Sequence, residues 1–291
     1  MELHQLRHLC AVVDHGSFTA AAAATHVSQS GISAQVAKLE RELGQTLLER
    51  LPRAVRLTPA GEQLLPLVRR ALDAVDQIPA IADEITGLVR GQVRVAMASG
   101  CTMIPFLQGI AAFSTSHPGV TVSLTEGPSD ELVDGVANGR YDLALTGYVD
   151  DVPPRLDSLV LVDEPLAAAF PAGHRLAEGV GSPVRISQLA KENLLCLPRG
   201  SGVREAWRRI APRVETGDDI GVEASSPEAL QLLVLHGLGP AILTRSMVTD
   251  PALVVRDLTP SVRTRFGLLS RREGSPAATA LLAQLRHAFT H

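Results

Sequence analysis

Cysteine is scarce in this 291-residue chain: Cys10, Cys101 and Cys196 are odd in number and far apart. They form no CxxC pair and no zinc-ligand spacing, so neither a disulfide framework nor a metal site is expected. A reducing cytoplasm is the natural compartment. No stretch approaches the ~20 apolar residues of a membrane span. The opening MELHQLRHLCAVVDHGSF has no basic start followed by an apolar block, and Asp14 and His15 interrupt it, so no signal peptide is expected. Catalytic signatures are missing too. There is no GxSxG, no HExxH and no Walker lysine, and the nine histidines are scattered. No catalytic residue and no cofactor is expected. Positive charge is not in excess: 27 Lys and Arg face 31 Asp and Glu, a net charge of -4. That excludes a protein basic all over, but not a small local basic site.

What remains is an ordinary soluble composition, 45% hydrophobic and 20% charged, long enough for two or three domains of about 100–200 residues. From Leu3, the positions Leu6, Leu9, Cys10 and Val13 recur at helical spacing, and Gly16 ends the run. Ser17 is a plausible cap for a second helix, Phe18 to Ala24, rich in alanine. Thr25, His26 and Val27 break it. Ser28 then caps a third helix with apolar positions Ile32, Val36, Leu39 and Leu43, stopped by Gly44. Alone, the alanine run reads as filler. Two helices joined by a turn of three or four residues match helix-turn-helix geometry, however, and alanine lets helices cross closely. Opposite the apolar stripe stand Ser30, Ser33, Ala34 and Lys38, with Gln29 in the first turn. Glutamine can bond adenine bidentately and serine can bond several base edges. In LLERLPRAVRLTPAGEQLL, RAVRLT reads as a short strand after a turn at Pro52, and Arg50, Arg53 and Arg56 suit phosphate contact from a wing.

The segments FTAAA, VSQSGIS, LERELGQTLLER and VRLTPAGEQLL, in this order over about the first 65 residues, resemble the DNA-binding domain of bacterial LysR-type transcriptional regulators. Three positions depart from the family pattern. Thr25 stands where leucine is usual, Ala34 where many members carry a base-reading arginine, and Leu48 where phenylalanine is usual. Ala34 shifts reading toward Gln29, Ser30, Ser33 and Gln35. With Ser17, Thr19, Ser28, Lys38, Arg50 and Arg53, these form the candidate DNA-contacting set.

Thr58 and Pro59 start a long helix. Leu64, Val68, Ala71, Val75, Ile78, Ala82 and Ile85 repeat with spacings of four and three, a seam suited to a second copy. The alternative is a single helix lying on its own core. The resemblance implies dimerisation through this helix and a tetramer built as a dimer of dimers. Pro66 is expected to kink the helix and Pro79 to end its regular part. Gly87 and Gly91 mark a hinge.

From Gln92 strands alternate with helices, which predicts a parallel α/β sheet. LVLVDEPLAAAFP leads into a second lobe, and RTRFGLLS with the last helix returns to the first. Ligands bind at the carboxyl ends of such strands. Three junctions stand out: ASGCTM at 98–103, LTG at 145–147 and PRGSGVR at 198–204. They suit a small anion such as a carboxylate. The resemblance implies a two-lobed effector domain like type 2 periplasmic binding proteins, with Ser99, Thr102, Thr146, Ser201 and Gly202 at the effector. Gly100, Cys101, Ser129, Gly147 and Arg204 complete the candidate set. The expected organisation is a winged helix-turn-helix dominated by α-helix (1–58), a linker helix and hinge (59–90), and an α/β effector domain (91–291). Lobe I covers about 91–162 and 266–291, and lobe II about 163–265. The implied partners are promoter DNA, a small effector, further copies of the chain and RNA polymerase. One rival within this fold is a thiol sensor, since Cys101 near a helix N-terminus would have a lowered pKa. An enzyme or a free solute-binding protein would explain the second half alone.

Overall fold

The computed structural model describes residues 1–51, 54–85, 90–179, 181–211 and 220–290. The chain divides into two compact units, the first holding residues 1–85 together with 138–140 and the second the other described residues from 90 onward.

The first unit opens with α1 (Leu3–Asp14), α2 (Phe18–Thr25) and α3 (Gln29–Leu43). Leu6, Leu9 and Val12 of α1 are buried with Phe18, Ala21, Ile32, Val36 and Leu39. Cys10 and Val13, expected in the α1 stripe, are only half-buried beside this core. Both serine caps form: the Ala20 amide donates to Ser17 Oγ at 3.1 Å, and the Gly31 amide to Ser28 Oγ at 3.1 Å. The Thr25 hydroxyl donates to the Ala21 carbonyl at 2.8 Å. The turn is made by His26, whose φ of 55° places a non-glycine residue in the left-handed region.

A hairpin follows, β1 (Leu48–Leu51) paired antiparallel with β2 (Ala54–Leu57). Arg53 lies outside the described residues, as does the side chain of Arg50. Glu40 Oε1 accepts the Leu47 and Leu48 amides at 2.8 and 3.2 Å, fastening α3 to the wing. Then α4 (Pro59–Ile85) runs unbroken through both Pro66 and Pro79, so neither proline ends it. Each proline deletes one ladder bond, which the rest of a 27-residue helix tolerates.

The second unit is a mixed sheet. β3 (Gly91–Ala98), α5 (Ile104–Ser116), β4 (Val120–Gly127), α6 (Ser129–Ala137) and β5 (Leu143–Tyr148) build lobe I, with β4, β3 and β5 parallel. The 16-residue β6 (Leu156–Pro171) carries the chain across. Lobe II contains β7 (Val184–Arg185), α7 (Ile186–Leu189), β8 (Leu194–Cys196), α8 (Gly202–Ile210), β9 (Ile220–Glu223), α9 (Pro227–Leu235), β10 (Ala241–Thr244) and β11 (Leu253–Thr259). β12 (Arg263–Arg271) and α10 (Pro276–Thr290) return to lobe I, where Leu281 and Leu285 pack with Phe106 and Phe113.

The strand order is β4-β3-β5-β12-β6-β10-β8-β9. The expected all-parallel sheet is therefore corrected. β8 is parallel to β9 and β10, but β12 runs antiparallel to β5 and β6. Leu156 to Pro165 pair with β12, whereas Leu166 to Pro171 pair with β10 and β11. The changeover falls at Pro165, a residue without an amide to give to a ladder.

The strained turn gives a direct test. His26→Gly is expected to hold or raise the melting temperature. His26→Val should lower stability by about 1–2 kcal/mol, because a β-branched side chain is poorly tolerated at positive φ. Thermal unfolding of both variants checks this.

Candidate functional site

In the first unit, burial of Ile32, Val36 and Leu39 turns the other side of α3 to solvent. Ser28, Gln29, Ser30, Ala34 and Lys38 are exposed, as are Thr19 of α2 and Arg56 of the wing; Ser17 and Ser33 are half-buried. Gln35 is placed apart from them. Its side-chain oxygen accepts from His4 Nε2 at 3.0 Å, so it is turned toward α1. The first amides of α3 point out of a capped helix start on this face, a favourable place for phosphate.

The α4 seam also needs correction. Val68 is 8% exposed and belongs to this unit's own core, with Leu64 half-buried against it. The accessible apolar row is instead Leu67, Ala71, Ala74 and Ile78, with Leu67 50% and Ile78 64% exposed. Val75 is half-buried. The side chains of Ala82 and Ile85 lie outside the described residues.

In the second unit, a cleft of about 360 Å³ opens between the lobes. Ser99, Gly100, Cys101 and Thr102 line it from the β3–α5 loop, Ser129 from the start of α6, Gly147 from β5, and Ser201 and Gly202 from the start of α8. Two expected residues do not reach it. Thr146 is fully buried, its hydroxyl 3.4 Å from the Ser129 carbonyl. Arg204 points away to Glu223, at 3.3 Å. Its backbone amide instead donates to Ser201 Oγ at 3.1 Å, completing the α8 cap. The sequence reading missed the side formed by Thr264, Arg265 and Phe266 of β12, and by Ser225 and Glu228 around the start of α9. The strand-end rule reaches EASSPE, where β9 gives way to α9. Only the pairing of β12 with β5 and β6 brings in the other three.

The lobes approach closely beside the cleft. A Cβ on Gly100, whose φ is already +71°, would stand 2.2 Å from the Ser225 carbonyl oxygen. One on Gly202 would stand 2.9 Å from the Gly147 carbonyl carbon.

Comparison with known proteins bears on this arrangement. The family description "LysR substrate binding domain" matches residues 86–290, and "Bacterial regulatory helix-turn-helix protein, lysR family" matches residues 3–62. The chain belongs to the LysR family of transcriptional regulators. It is 32% identical over 250 residues to a RuBisCO operon transcriptional regulator of Allochromatium vinosum, covering 84% of this chain and 80% of that one. It is 31% identical over 284 residues to the transcriptional dual regulator GltC of Bacillus subtilis, covering 96% and 94%. A full-length OxyR variant from Pseudomonas aeruginosa superposes with a TM-score of 0.69 at 25% identity, covering 99% and 94%. Full-length CbnR complexed with its target DNA gives 0.51 at 25% identity, covering 99% and 100%.

In this LysR-family regulator the surroundings of all three cysteines favour the thiol over the thiolate. Burial pushes the Cys101 thiol up from its ordinary value, and Glu228 and Glu126 add to the shift. Cys101 also lies ahead of α5, which starts at Ile104, so the expected lowering by a helix N-terminus is overturned. Burial pushes Cys196 up to about 12 and Cys10 up to about 11. The thiolate is the reactive form. All three cysteines should therefore alkylate more slowly than a free thiol when the native protein is treated with iodoacetamide near neutral pH, which mass spectrometry reads directly. Gly202→Ala is expected to cost about 1–3 kcal/mol by overpacking the lobe contact, as a lowered denaturation midpoint.

Proposed function

We propose that this regulator reads a partly two-fold-symmetric promoter site with α3 and the hairpin wing, and that a small anionic effector in the interlobe cleft controls its arrangement on DNA. The observation that carries the reading is the solvent-facing first half of α3. Gln29, Ser30, Ala34 and Lys38 share its exposed side, while Ile32, Val36 and Leu39 anchor the other. The first turn of a recognition helix reaches base edges in this architecture. Because Ala34 carries no donor, Gln29 is the principal base reader, helped by Ser30 and Ser33. Arg56, Arg50 and Arg53 supply phosphate contacts from the wing.

Two copies pair through the Leu67, Ala71, Ala74 and Ile78 row of α4. That row repeats at coiled-coil spacing and exposes leucine and isoleucine to solvent. A tetramer of two such dimers then spans the promoter, with RNA polymerase as a further partner. The protein works in the cytoplasm and catalyses nothing. An effector that binds one separation of the lobes more tightly than another shifts the population toward it, and the shift is passed to the DNA-bound subunits.

Gln29→Ala should weaken binding to the specific site by about 1–3 kcal/mol and leave nonspecific binding nearly unchanged. Gel-shift titrations against specific and scrambled duplexes measure both; equal loss on the two duplexes would overturn the assignment. Ile78→Glu should shift the protein toward monomer in analytical ultracentrifugation without unfolding it, because Ile78 is exposed in the single chain.

A further inference from the structure

We infer that the cleft selects a monocarboxylate with an apolar body and discriminates against a dicarboxylate of the same length. This rests on the reading of the cleft as the effector site and adds the class of effector to it.

Charge is left over inside the cleft. Among the described residues two cations line it, Arg199 and Arg265. Arg265 is already balanced: it donates to Asp151 at 2.8 Å and lies 3.7 Å from Asp163. Arg199, in the turn before α8, has no carboxylate within 4.0 Å among the described residues. Among the described residues one positive charge is thus uncompensated, and one ligand carboxylate would balance it.

Negative charge is also left over, on two carboxylates. Glu228 lines the cleft and accepts the Ser226 hydroxyl at 2.7 Å, with no cation partner among the described residues. Glu126 accepts the Gly100 amide at 3.4 Å and likewise has no cation partner among the described residues. The two come from different lobes but meet at one place, because Gly100 lies against the Ser225 and Ser226 backbone. The rise in the Cys101 thiol's pKa, chiefly from burial and further from both carboxylates, agrees with an electronegative end there. A second ligand carboxylate would add a third negative charge to that end. Like charges repel, the more strongly where water is partly excluded.

Met103, Val162, Leu197 and Phe266 give apolar walls. Ser129, 5% exposed, lines the cleft from the start of α6. A neutral hydroxyl there suits an uncharged or singly charged oxygen.

The test uses the full-length protein and three six-carbon probes: hexanoate, adipate and hexanamide. Isothermal titration should give a Kd for hexanoate about tenfold or more below those of adipate and hexanamide. Glu228→Gln should bring adipate closer to hexanoate, and Arg199→Gln should remove the advantage of hexanoate over hexanamide. The cleft is checked with Val162→Trp, provided this variant keeps its DNA affinity without probe. Adipate binding as tightly as hexanoate, and lost in Val162→Trp, overturns the inference and leaves the cleft reading standing. Probes that bind Val162→Trp unchanged overturn the cleft reading itself. Absence of binding by hexanoate at millimolar concentration also overturns the inference.

Discussion

Both lobes of the effector-binding unit hang on one strand. β6 gives its first ten residues to β12 and its last six to β10 and β11, so neither lobe has a complete sheet without it. Its ladder bonds cannot be given up cheaply, since a buried backbone group without a partner costs about as much as a lost hydrogen bond. Any change in lobe separation is therefore confined to small changes in backbone angle where the pairing changes hands, near Pro165. The cleft, the glycine contacts and the hydroxyl lining all take their positions from this constraint. Substituting a side chain at Gly100 or Gly202 would set a new minimum distance between lobes that are otherwise free only to bend.

Short polar side chains at helix starts recur in both units. Ser17, Ser28, Ser201 and Ser226 each accept an amide from the first turn of the helix they precede. A capped start fixes the direction of the remaining free amides and of the residues in that turn. In the first unit this presents Gln29 and Ser30 outward. In the second it places the starts of α8 and α9 at the cleft. The overall acidic balance of the chain is compatible with both. On the proposed reading, DNA contact is concentrated on one exposed helix side and a hairpin, and the cleft sorts ligands by the few charges left unpaired within it.

Much of this was legible in the linear sequence, where local rules are strong. The serine caps, the apolar spacing of α3, the glycine stop at Gly44 and the strand–helix alternation after Gln92 are all local signals, and local hydrogen bonding obeys them. Legibility failed where two elements compete for one face. The periodicity of α4 showed an apolar stripe but not which part of it would be covered, and the core around Phe18 and Ile32 took Val68. Gln35 has the side chain of a base reader, yet His4, 31 residues away, holds its oxygen. Arg204 sits in a loop-like motif rich in donors, but one helical turn carries its guanidinium to Glu223 and away from the cleft.

The sequence by itself determined the elements, the order of the two units and the family, because caps, periodicity and breakers act over a few residues and leave a direct trace. Only the tertiary structure decided which residues share a site. Thr264, Arg265 and Phe266 join Ser99 and Ser129 because β12 runs antiparallel between β5 and β6, a pairing made across more than a hundred residues of chain. The state of the thiols was decided in the same way. A lone cysteine beside a helix start reads as reactive, but burial, with two carboxylates brought from separate lobes, pushes the Cys101 thiol's pKa up.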